Sequence, residues 1–351
     1  MVALKSKPRK NLVITERDTD ILSAIYQAGI IAAGHIVRLF FCGRSYGYVR
    51  LRMLYDANYV GTDPYLEPAL GTKKRRKVTS FYFLKKKGID YLASLSGNTL
   101  RPPWKNKIHK KRFREFYHMG EIWCNLLEEG IIAKPYYWHP SRFAKKRLGI
   151  NHFVPLHSVF YPIHRSGDKF DALYFFKENT NGRKITKLRN ILPAVDLSGA
   201  NRHFIICETH KILEKVLQKF TIKYPESDVY IVLQDHVGLL LKYLRENNDK
   251  IFYQELLVKL GAGGKAELLQ SSPLEAAPYY WIKSGDGSKI FLTELVTGKL
   301  LNLAELKYKA KNIRLPDKLC LYFPDKQYFK AIKFLLPENL ESLHVIYREE
   351  K

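Results

Sequence analysis

The stretch SYGYVRLRMLYDANYV at Ser45–Val60, followed by GTKKRRKV at Gly71–Val78, limits the fold more than any other part of the chain. In the first, Gly47, Tyr48, Leu51, Leu54 and Tyr55 fall on one face at helical spacing, which predicts a helix packed through that face. The other face carries Ser45, Tyr46, Val49 and Met53, flanked by Arg50 and Arg52. Asn58 ends the helix, and Tyr59-Val60 begins a strand. The runs VGTDPYL and VTSFYFL are rich in strand formers and are joined by EPALGTKKRRK. They predict a two-stranded ribbon whose tip holds Lys73, Lys74, Arg75, Arg76 and Lys77.

Two helices are expected before this unit and one after it. In ITERDTDILSAIYQAG, Thr15 can cap a helix whose first turn holds Glu16, Asp18 and Asp20, where negative charge meets the positive end of the dipole. Ile21, Leu22, Ile25 and Tyr26 give it an apolar stripe, and Gly29 ends it. GHIVRLFF reads as a second, short helix, and GIDYLASL closes the set. Three helices, a strand, a basic tip, a second strand and a last helix are the order of a winged helix-turn-helix. In such domains the third helix enters the DNA major groove, where arginine can bond bidentately to guanine. The base contacts expected here are Tyr46, Val49, Arg50 and Met53. Arg44 and Ser45 would hold phosphate at the helix N-terminus, Arg52 would flank it, and Lys73–Lys77 would grip the backbone from the wing.

Charge points the same way. The chain of 351 residues has a net charge of +25, far beyond what solubility requires, and such a field draws polyanions. Met1–Arg112 holds 23 Lys and Arg against 7 Asp and Glu, a net of 23 − 7 = +16. Double-stranded DNA is therefore the expected partner of the N-terminal third. The four cysteines lie far apart with no C-x-x-C pair, which fits a reducing compartment and argues against a zinc site. No apolar segment follows the basic N-terminus, and no run is long enough to span a bilayer, so a cytoplasmic protein without a membrane partner is expected. The expected domains are 1–95, a winged helix; 96–112, a basic linker around SGNTLRPPWKNKIHKKRFR; and 113–351. The third opens with a helix, FREFYHMGEIWCNLLEEG, whose stripe is Phe116, Met119, Trp123, Leu126 and Leu127.

The capped first helix, the L-x-x-L of Leu51–Leu54 followed by Tyr59-Val60, the strand-wing-strand closing on FYFLKKKGIDYL, and the later helix with His118 together resemble the replication-relaxation family. These are plasmid and phage proteins tied to plasmid replication or to relaxation at a transfer origin. The resemblance covers roughly Ile14 to Leu127 and implies a second domain like a reduced PD-(D/E)xK nuclease. The whole would be α+β and α/β: a winged helix followed by a degenerate restriction-endonuclease-like domain. Asp171 in GDKFDALYFF and Glu208 in RHFIICETH would be its carboxylates, in a β-β-α-β order with residues 177–201 as a polar insertion. An active nuclease needs two carboxylates on a divalent metal and a lysine to orient water. The lysine position is His210 here, and the family's usual Asp is missing.

Beyond Asp235, HVGLLLKYLREN and Phe252–Leu260 predict helices, and YYWIKSG, KIFLTELV, KLCLYFP and LHVIYRE predict strands. The expected function is sequence-selective DNA binding in replication initiation or origin relaxation, without catalysis or cofactor. The protein would act as a homodimer or with replication or relaxation proteins. The alternatives are a magnesium- or manganese-dependent nuclease using Asp171, Glu208 and His210, and a winged-helix transcriptional repressor.

Overall fold

The structure is a computed structural model that describes residues 12–41, 44–68, 75–97, 99–100, 112–151, 154–163, 169–220, 228–246, 250–259, 269–270, 280–283, 289–295, 298–299, 318–333 and 343–347. It is a mixed helix-and-sheet protein of two compact units, Met1–Arg147 and Leu148–Lys351. Among the described residues no helix is long and apolar enough to cross a membrane.

The N-terminal unit opens with α1 (Glu16–Ala28), begun as its sequence requires. Thr15 Oγ1 accepts from the Asp18 amide at 3.3 Å and the Asp18 carboxylate accepts from the Thr15 amide at 2.8 Å, a reciprocal capping box. Ile21, Leu22 and Ile25 are fully buried. The short β1 (Ile31–Ala32) leads into α2 (Ala33–Phe40) and α3 (Arg44–Asp56). Gly47 lets α3 approach α2 closely, because a β-carbon there would lie 2.9 Å from Val37 Cγ2 and 3.0 Å from Phe41 Cδ2. Asn58 leaves the helix with φ of 65°, and its side chain accepts from Lys85 Nζ at 2.9 Å. Strands β2 (Val60–Pro68) and β3 (Arg75–Leu84) then pair antiparallel, with a bulge between Tyr65 and Leu66. The sheet order is β1-β3-β2, with Ile31 opposite Tyr82. Helix α4 (Lys86–Ser96) follows, and Tyr91 Oη on it meets Thr19 Oγ1 of α1 at 3.0 Å.

Helix α5 (Phe113–Glu128) corrects the expected domain boundary, because it belongs to the first unit rather than opening the second. Phe113 packs on Phe81 at 4.8 Å between ring centroids and on Tyr65 at 6.5 Å. Glu121 accepts from Arg38 Nη1 at 2.6 Å and meets His35 Nε2 at 2.8 Å, and Arg38 also reaches Asn125 at 2.7 Å and Glu128. Of the linker expected at 96–112, residues 98 and 101–111 lie outside the described residues. After α5 come β4 (Trp138–Pro140) and α6 (Ser141–Arg147).

The Glu121 network sets a pH dependence. The bond from His35 comes first and Arg38 adds to it; against the opposing effect of burial they pull the Glu121 carboxyl from 4.5 down to about 2. A carboxyl depressed on folding contributes stability that is full above its unfolded value and fades as the pH falls through the folded one. Stability of the N-terminal unit is therefore expected to decline between about pH 4.5 and about pH 2, and Glu121→Gln to flatten that part of the profile. The carboxylate is 36% exposed, so solvent screening keeps the effect small. Denaturant unfolding of both proteins across this range tests it.

In the C-terminal unit β5 (Ser158–Phe160), β6 (Phe170–Phe176), β7 (Ala200–Cys207) and β8 (Asp228–Leu233) lie side by side in that order. β5 runs antiparallel to β6, whereas β6, β7 and β8 are mutually parallel. All of FDALYFF in β6 is buried, the near-continuous apolar pattern of a strand covered on both faces. The expected insertion at 177–201 is instead α7 (Gly182–Leu197), the crossover between two parallel strands. Asn181 caps it by accepting from the Lys184 amide at 3.0 Å, and Ile185, Leu188, Leu192 and Val195 are its buried stripe. The expected order of two strands, a helix and a strand is present, with α7 lying between the first two strands. Helix α8 (His210–Phe220) buries Ile212, Leu213, Val216, Leu217 and Phe220, as its spacing predicts. α9 (Val237–Glu246), α10 (Lys250–Lys259) and α11 (Lys326–Ile332) complete the helices described there. A second sheet has β9 (Leu269–Gln270), β10 (Tyr280–Lys283), β11 (Lys289–Glu294), β12 (Lys318–Phe323) and β13 (Leu343–Tyr347), in the order β13-β12-β11-β10-β9. The four later strands are those expected from the tail.

Candidate nucleic-acid interface

The surface of interest is built on α3. Leu51 and Leu54 are fully buried and Gly47 faces α2, as the helical spacing requires. Outward stand Ser45, Tyr46 at 57% exposure, Tyr48 at 49%, Val49 at 56% and Arg52 at 66%, with Met53 half-buried. Tyr48 was expected on the packed face. Its hydroxyl instead lies near Gly34, where a β-carbon would stand 3.6 Å away. Tyr46 is fixed edge-on to the Phe41 ring at 5.9 Å. Of Arg44 the helix position alone is described.

Arg50 departs from the expectation. It is 8% exposed, and its guanidinium is closed by a forked contact with Asp18: Nε donates to Oδ1 at 2.9 Å and Nη2 to Oδ2, while Nη2 also donates to the Val13 carbonyl at 2.7 Å. The bond to Asp18 raises Arg50 above its ordinary value against the opposing effect of burial. A guanidinium so enclosed cannot reach a base edge, and the expected base contact at Arg50 is withdrawn. Arg52 remains outside, lying along the helix: Nε donates to Asp56 Oδ2 at 3.1 Å, and the guanidinium lies 5.5 Å from the centroid of the Tyr55 ring.

On the ribbon, Arg76 and Lys77 are exposed at the start of β3. Lys73 and Lys74 lie outside the described residues, and of Arg75 the strand position alone is described. Two features escaped the sequence reading. Lys85 and Lys87 cover the Tyr55 and Tyr59 rings at 5.3 and 4.4 Å, holding positive charge beside the foot of α3. A groove of about 750 Å³ runs along α1 to the N-terminus of α3, with Glu16, Asp20, Phe41, Tyr46, Tyr136 and Trp138 among its walls.

The proposed nuclease residues do not assemble. Asp171 is fully buried and both of its oxygens are taken by Arg202, with Nε at 3.1 Å from each and Nη2 at 2.6 Å from Oδ2. Asp171 lies opposite Arg202 in the parallel pair, and Glu208 lies six residues further on, past the strand's end. At about 3.3 Å per residue roughly 20 Å of strand separates their backbone positions, too far for the two carboxylates to share an ion. Glu208 instead accepts from the Glu178 amide at 2.9 Å, closing the turn after β6. His210 begins α8 at the other end of the strands from Asp171; burial lowers its pKa, with His236 adding to the effect and Asp325 and Asp235 opposing it. Among the described residues no group of three His, Cys, Asp or Glu is placed to hold a metal.

Compared with family models, curated proteins and solved structures, the chain matches none of them.

Proposed function

We propose that residues 16–96 form a winged helix that binds double-stranded DNA, with α3 in the major groove and the β2–β3 ribbon against the neighbouring backbone. One observation carries this reading. An outward helix face of Ser45, Tyr46, Tyr48, Val49 and Arg52 stands on the buried Gly47, Arg50, Leu51 and Leu54, next to a β1-β3-β2 sheet whose ribbon exposes Arg76 and Lys77 near the start of its second strand. Its setting is a third of the chain with net charge +16, from 23 − 7. Such a field gathers phosphate, and the groove-sized helix supplies the means of discrimination. The proposed setting, replication initiation or origin relaxation on a plasmid or phage, follows from the resemblance of Ile14–Leu127 to the replication-relaxation family.

Reversing charge on the ribbon tests the reading. Arg76→Glu with Lys77→Glu is expected to weaken binding to every duplex alike and to lower the slope of log affinity against log salt by about one unit for each phosphate no longer held. Unchanged affinity and slope would count against the ribbon as a backbone contact.

A further inference from the structure

The outer face of α3 is unusual for a helix in so basic a region: its most exposed described side chains, apart from Arg52 and Ser45, are Tyr46, Tyr48 and Val49. Direct reading of guanine or adenine uses bidentate Arg or Lys, or Asn or Gln. The helix sequence RSYGYVRLRMLYD contains no Lys, Asn or Gln. Arg50 is committed to Asp18 and Val13. Arg52 is drawn along the helix axis by Asp56, one turn towards the C-terminus and away from Val49. That exposed pair is weak, so Arg52 is available to a phosphate or a flanking base. What the middle of the helix presents is a β-branched methyl pair, Val49, with Tyr46 one turn before it held by the Phe41 ring.

A single apolar group lines the major groove of B-DNA, the C5-methyl of thymine. We propose that α3 selects its site through thymine, with the Val49 methyls against a thymine 5-methyl and the Tyr46 ring covering the next base step. Sequence preference at the middle of the helix is thus set by apolar contact. This inference rests on the DNA-binding reading above and names the base that reading left open. It gives a partner to the apolar side chains that α3 exposes, Tyr46, Tyr48 and Val49, in keeping with an interaction surface.

Deoxyuridine differs from thymidine by this methyl alone, which makes the test direct. Short duplexes are selected from a randomised pool with the full chain, and each thymine of the retained sequence is then replaced in turn by deoxyuridine. The expected result is a loss of about fourfold at one or two neighbouring positions, the value of one buried methyl. Val49→Ala should lower affinity for the thymine duplex by a similar factor and erase the difference between thymine and uracil there. Val49 is exposed, so its thermal unfolding should be unchanged. Equal binding of thymine and uracil at every position, or discrimination that survives Val49→Ala, would overturn the proposal and leave DNA binding standing. A pool from which no duplex is retained would overturn both.

Discussion

Arg50→Ala is expected to destabilise the N-terminal unit by about 3–5 kcal/mol, the cost of stranding one partner of a buried ion pair. Asp18 would be the stranded group: its side chain is 1% exposed, and Arg50 fills it from two nitrogens. Arg50 also holds the Val13 carbonyl, so the variant would loosen the chain entering α1 as well. Arg50→Lys should recover little, because a single ammonium cannot reproduce the fork. The acid limb should move too. Burial pushes the Asp18 carboxyl up, but the bonds from Arg50 and Thr15 outweigh it and hold it below 3.8. Its contribution is therefore full above pH 3.8 and is lost as the pH falls further. Without Arg50 burial acts with less opposition, and the loss should begin at a higher pH. Urea unfolding from roughly pH 3 to roughly pH 7 reads both effects. A stable Arg50→Ala protein that had lost only its preference among DNA sequences would return Arg50 to the base-reading face.

Asp171→Ala is expected to cost the C-terminal unit about 3–5 kcal/mol for the same reason, leaving the Arg202 guanidinium uncompensated in the core. The side chains are 0% and 3% exposed, and Arg202 Nη1 has no hydrogen-bond partner among the described residues. Replacing both by apolar residues of similar size should restore much of the loss, since an ion pair removed whole leaves no orphaned charge. The nuclease alternative makes the opposite forecast: Asp171→Ala would fold normally and abolish metal-dependent cleavage of supercoiled plasmid. Equilibrium unfolding and a cleavage assay on the same protein separate them. Wild-type stability with cleavage abolished would contradict the assignment of Asp171 to the core.

What the sequence revealed was local in origin. The start of α1 was legible because Thr15 and Asp18 are three residues apart and answer each other directly. The order of the helices and of the ribbon strands to Ser96 was legible because each carries its own period and its own stop, whereas the two-residue β1 is too short to show one and was read as a turn. Arg50 was not, because its partner lies 32 residues upstream and a helical wheel reports direction without naming what waits there. Tyr48 was misplaced for a related reason: a tyrosine at the edge of an apolar stripe packs or faces out according to neighbours such as Gly34. The stripe of α5 was visible, yet nothing within it said that Glu121 would answer His35 and Arg38, so the boundary was drawn before it instead of after α6. Helix α7 was read as an insertion because four buried residues are spread among charged ones and Pro193 lies within it. That error also hid the parallel pairing of β6 and β7, and with it the separation of Asp171 from Glu208.

The most direct measurement is protection footprinting of the full chain on DNA from its own genetic neighbourhood, repeated over a range of salt. Winged-helix binding predicts discrete protected sites, major-groove contacts at their centres, and affinity that falls steeply with salt. Sites at an origin would support the replication role, and a single site over a promoter would support repression. Uniform protection, or none at low salt, would contradict DNA recognition by α3.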